Sequence, residues 1–175
     1  FVNFSGIDYD NDADAEAKLN AFVAHIQGVI TKYEAALLQL VIGDKGSYGY
    51  AVFGAFTAHE DDAQRAVYAA LEIEQTPKQL PYIQSLQTGI SLGTLRVGAY
   101  GNATRQTYAA LGDDVNLAAR LMTNARTDEI LITGRVQAEI ADTFTLEPRE
   151  PIHMKGKGEP QPVFAVTGIS HHRAT

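Results

Sequence analysis

The chain has 175 residues, 14 Lys and Arg against 21 Asp and Glu, a net charge of -7 and no cysteine. That length suits one domain with a sizeable core. Lack of cysteine excludes disulfides and thiolate metal sites, and the acidic balance excludes a uniformly basic surface for coating nucleic acid.

In chain order, "FVNFSGI" reads as a first strand closed by Ser5 and Gly6, followed by the acidic loop "DYDNDADAE". Asp8, Asp10 and Asp12 in that loop suit helix capping and solubility. Leu19, Phe22, Val23, Ile26, Ile30 and Tyr33 then recur at helical spacing. "ALLQLVIGDKGSYGYAVFGAF" holds two apolar runs around Gly, Asp and Ser, a hairpin signal. A second helix is expected over "HEDDAQRAVYAALEIEQ", with the stripe Ala63, Ala66, Val67, Ala70 and Leu71, broken by "QTPKQLP". "LQTGISLGTLRVGAYG" is strand-like and punctuated by glycine, and "TYAAL" follows the loop "NATRQ". A third helix is predicted from Asp113 or Asp114 to about Asn124. "EILIT" and "FTLEP" read as strands around the short helix "GRVQAEIAD", and "IHMKGKGEPQPVFAV" as a last hairpin.

This order predicts an α+β fold whose first half is the split β-α-β unit of ferredoxin-like folds. A mixed sheet with helices on one face is expected. One domain is expected over residues 1–168, with a tail over 169–175, and the abrupt opening on a strand is expected of a piece of a longer protein. "SYGYAVF" carries bulky groups on both alternations, which predicts a surplus face for a second copy or a paired half. The longest apolar run, "AALLQLVIG", is strand-sized, well short of the ~20 residues of a membrane span. No direct membrane insertion, no nucleic-acid partner and a cytoplasmic location are expected.

Three features carry chemistry. Asn116 and Arg120 lie four apart in the third helix, hence on one face, with Cβ atoms ~5–6 Å apart. Lys155 sits in a loop loosened by Gly156 and Gly158. Asp44 occupies the acidic turn "GDKG". These residues suit a small anion held by Arg120 and Lys155; they equally suit a solvated helix face, a surface hairpin and a plain turn. His25, His59, His153, His171 and His172 show no zinc-ligand spacing, and none lies in these three features.

"YAALGDDVNLAARL", "GISLGTLRVGAYG" and "MKGKGEPQPVFAV" stand in the order and spacing of one family, and "VIGDKGSYGYAVFG" matches its hairpin in a longer form. The chain resembles the class III nucleotidyl cyclases over roughly Phe1 to Val166. The resemblance implies formation of cAMP or cGMP and pyrophosphate from ATP or GTP, in a dimer or a pair of halves. It implies two divalent ions, Mg²⁺ or Mn²⁺. By the same resemblance Asn116 orients the ribose, Arg120 stabilises the transition state and Lys155 holds phosphate. Asp44 matches a metal aspartate.

Three positions depart from the family. Asn3 replaces a metal aspartate, and a neutral amide is a poor Mg²⁺ ligand. Leu40 and Ala109 replace base-reading residues. Gln39 and Thr107 are expected on the faces opposite Leu40 and Ala109. Asn116, Arg120 and Lys155 without the metal aspartate resemble the second cyclase half of soluble, bicarbonate-responsive adenylyl cyclases, with the ions supplied by the other half. The alternative is a catalytically degenerate regulatory or dimerisation module that binds a nucleotide or a small anion.

Overall fold

The computed structural model describes residues 1–43 and 46–170. Asp44 and the part of the expected tail over 171–175, with His171 and His172, lie outside the described residues.

The elements run β1 (Val2–Ser5), α1 (Ala15–Lys32), β2 (Ala36–Val41), β3 (Ser47–Val52), α2 (Asp62–Glu74), β4 (Ser85–Ile90), β5 (Arg96–Gly101), β6 (Gln106–Leu111), α3 (Asp113–Asn124), β7 (Glu129–Thr133), α4 (Gly134–Ile140), β8 (Phe144–Ile152) and β9 (Gln161–Ile169). Seven strands form one sheet in the order β2-β3-β1-β4-β7-β9-β8, and β5 pairs with β6 alone. β4 and β7 are parallel and the other pairs antiparallel, so the sheet is mixed. The segment β1 to β4 is the expected split β-α-β unit.

The acidic loop is built by its own side chains. Asp8 accepts from the backbone N–H groups of Asp10 and Asn11, and Asp12 from that of Asp14. Asp12 also pairs with Lys18 of α1. These contacts end β1 and start α1.

Strand alternation sends successive side chains to opposite faces. Phe4 and Leu86 turn to one face and pack on Phe22, Ile26 and Ile30 of α1 and Ile73 of α2. Further along that face, Ile130, Ile132 and Val166 meet Val67 of α2 and Val136 and Ile140 of α4. The other face is covered by α3, through Leu121 on Leu131, Val163 and Ala165, and by the β5–β6 hairpin, through Val97 and Ala110 on Tyr50 and Val52.

Two expectations change. Helices cover both faces, because Gly89 of β4 leaves no side chain between the sheet and α3. The surplus apolar face of "SYGYAVF" is covered within the chain: Tyr50 and Val52 lie under the β5–β6 hairpin. The large apolar groups that remain outside among the described residues are Tyr9, Ile42, Phe56, Tyr100, Tyr108, Leu111 and Ile169, and Phe56 stacks on Tyr108 with ring centroids 5.3 Å apart. Among the described residues, no helix is long and apolar enough to cross a membrane.

Candidate functional site

α3 begins at a glycine turn. Gly112 has φ +155, its carbonyl accepts from Val115 N–H, and Asp113 and Asp114 fill the first turn, where carboxylates suit the helix dipole. The helix buries Leu117, Ala118, Leu121 and Met122 against the sheet. Its exposed side carries Asn116 and Arg120, one turn apart. Neither side chain has a hydrogen-bond or ion-pair partner among the described residues; only the Arg120 carbonyl is engaged, accepting from Asn124. A guanidinium kept out of internal ion pairs is available to hold phosphate oxygens in two-point contact.

Lys155 is exposed in the turn between β8 and β9 and is unpaired among the described residues. Lys157 N–H donates to the Met154 carbonyl across this turn, and Gly156 takes φ +86. The turn is anchored beside α3, because Ile152 at the end of β8 packs in the cluster that holds Leu121 and Ala125. At its base, Arg149 of β8 donates to Glu129 of β7 at 2.7 Å, across the intervening β9. Burial pushes the Glu129 carboxyl up, but hydrogen bonds from Arg126 N–H and Arg149 outweigh it and hold the group below its ordinary range.

Asn3 lies on the face of α3, opposite to Phe4 in the strand alternation and in register with Tyr48 and Gln87. Its Nδ2 reaches the β2–β3 turn, 3.2 Å from where a Cβ on Gly46 would lie. A cavity of about 150 Å³ elsewhere is lined by Phe1, Tyr50, Ala66, Ala70 and Thr88 and by no Lys, Arg or His. It is too small and too apolar for a nucleotide triphosphate.

The adenylate and guanylate cyclase catalytic domain model matches residues 2–167. The chain belongs to that family. It is 26% identical to adenylate cyclase type 10 of Rattus norvegicus over 97% of this chain and 11% of the relative. It is 27% identical to adenylate cyclase 1 of Rhizobium meliloti over 87% of this chain and 24% of the relative. The chain thus spans about a tenth to a quarter of the length of these curated relatives. Among solved structures, the guanylate cyclase domain of RhGC from Catenaria anguillulae, in complex with GTP, superposes with a TM-score of 0.83 at 24% identity, over 97% of this chain and 94% of that one. The adenylyl cyclase CyaB from P. aeruginosa gives 0.83 at 24% identity, over 99% and 94%. Those two likenesses establish the fold.

Within this cyclase domain the expected positions divide. Asn116 and Arg120 ride on α3 and Ala109 on the β5–β6 hairpin, the two elements that cover one face of the sheet, while Asn3 belongs to β1 and Lys155 to the turn between β8 and β9. Leu40 turns to the other face. A bulge between Leu37 and Gln39 of β2 shifts the alternation, so that Leu37 and Leu40 both pack against the α1 cluster. Leu40 is therefore half-buried against the core, and Gln39 points away from it, as expected. Thr107 corrects its expectation: two residues from Ala109 in a regular strand, it shares Ala109's face. Tyr100, opposite Thr107, is on that face too, and was missed. Counting in twos along "RVGAYG" and "QTYAAL" would have found both.

Among the described residues no group of three His, Asp or Glu is placed to bind a divalent ion, and Asn3 presents a neutral amide, a poor ligand for Mg²⁺.

Proposed function

We propose that this chain is the complementary half of a paired nucleotidyl cyclase site in the cytoplasm. It grips ATP or GTP while its partner brings the divalent ions, Mg²⁺ or Mn²⁺. In the reaction the ribose O3′ bonds to the α-phosphorus, its proton leaves to solvent, and the bond to the bridging oxygen breaks to release pyrophosphate. Asn116 orients the ribose by hydrogen bonding. Arg120 faces the phosphoryl oxygens as charge gathers on them, where a pre-positioned donor is worth most. Lys155, on its glycine-loosened turn, holds the polyphosphate. The observation that carries this reading is the free pair Asn116 and Arg120 on the outer side of α3. Its test is reconstitution: the purified chain alone gives little or no cyclic nucleotide, and adding a first half that bears both metal aspartates restores turnover. Robust cyclisation by the chain alone overturns it.

The departures at Asn3 and Ala109 favour a second reading, a regulatory module with a retained nucleotide or anion pocket. Calorimetric titration with ATP and GTP, with and without Mg²⁺ or Mn²⁺, separates the two. Tight binding without metal, and no turnover in any pairing, establishes the module.

A further inference from the structure

The outer face of the β5–β6 hairpin shows how a base could be read despite Ala109. Gly98 of β5 stands directly across from Ala109 of β6, a cross-strand pair without a polar atom in either side chain. Tyr100, two residues along β5, folds back over it. Its Cε2, Oη and Cζ atoms lie 3.9–4.0 Å from where a Cβ on Gly98 would be. The phenol therefore lies back along its own strand above Gly98, on the hairpin face that Ala109 shares. The ring is 42% exposed, and its hydroxyl has no hydrogen-bond partner among the described residues. A Cβ at Gly98 would meet the ring only at ordinary contact distance, so the ring lies along the outer face of the hairpin with room beside it.

We propose that Tyr100 is the base-reading residue of this domain. Its hydroxyl takes the place of the polar group missing at Ala109 and hydrogen-bonds the edge of the purine. This inference rests on the nucleotide-binding reading above and adds its specificity determinant. A phenolic O–H both donates and accepts, so it can satisfy an exocyclic amine or a carbonyl. Discrimination comes from the analogue that lacks such a group and leaves the hydroxyl unpaired.

The test measures equilibrium binding of ATP, GTP and purine riboside triphosphate, which lacks the exocyclic substituents, to the chain paired with a metal-competent half. The wild type should bind ATP or GTP about five- to tenfold tighter than the purine analogue, the scale of one neutral hydrogen bond. Y100F, which keeps the ring, should bind all three alike, with an unchanged melting temperature and unchanged affinity for the purine analogue. Adding A109T to Y100F should restore the preference. The proposal is overturned if Y100F keeps the wild-type ratio, if the wild type shows no ratio, or if T107V alone erases it, which would make Thr107 the reader. In all three cases nucleotide binding itself stands. Absence of triphosphate binding to the wild-type pair overturns this proposal and the functional reading together.

Discussion

Gly89 of β4 and Ala118 of α3 meet backbone to backbone: a Cβ on Gly89 would lie 2.2 Å from the Ala118 carbonyl oxygen. It would also lie 2.4 Å from Met122 N. Both obstacles are main chain, which no rotamer change can clear. Gly89→Ala must lift α3 or bend β4, and should cost about 1–3 kcal/mol or more, as overpacked sites do. Thermal denaturation checks the loss. In the paired assembly the same variant should lower turnover by more than its stability explains, because the seat of Asn116 and Arg120 has moved.

Arg120→Ala should behave in the opposite way. The side chain is exposed and unpaired among the described residues, so the melting temperature should hold within about 0.5 kcal/mol of stability. Turnover of the reconstituted pair should fall about 10²–10³-fold, the scale for losing one transition-state donor, with nucleotide binding retained. Lys155→Ala should instead raise KM, since it removes a contact made alike in ground and transition states. Steady-state kinetics of the two variants tells these roles apart.

Arg149→Leu should weaken the far end of the sheet. Glu129, with 10% side-chain exposure, would lose its guanidinium partner while staying largely buried. The cost should be about 2 kcal/mol, below the range for a fully buried pair because Arg149 is 24% exposed. Glu129's pKa is held down in the folded state, so its contribution is present above the unfolded carboxylate range and is lost as the pH falls through the folded value. Wild type and Arg149→Leu should therefore converge in stability at acid pH. Urea denaturation at neutral pH and in acid reads the difference.

Much of this fold was legible because its elements obey simple periods. Phe22, Ile26 and Ile30 recur at helical spacing and pack as one α1 face. The predicted span of α3, from Asp113 or Asp114 to about Asn124, matches the observed Asp113–Asn124. The first failure lies at "LQTGISLGTLRVGAYG", which contains two strands that belong to different sheets. The chain leaves the main sheet at Ser91, whose hydroxyl bonds to the Asp114 carbonyl, a long-range contact that sequence alone does not announce. The second failure is Leu40, whose direction depends on a one-residue bulge that no apolar pattern announces. Among the proposed site residues, Asn116, Arg120 and Lys155 stand out by spacing and motif, whereas the face Tyr100 shares with Ala109 follows only from strand parity and the β5–β6 register.

The contact between Gly89 and Ala118 also bears on how such a domain can diverge. At this crossing α3 rests directly on the main chain of β4, with no side chain of β4 between them. On the proposed reading, substitutions on the outer face of the hairpin leave this crossing untouched, so base preference and phosphate handling become separately heritable.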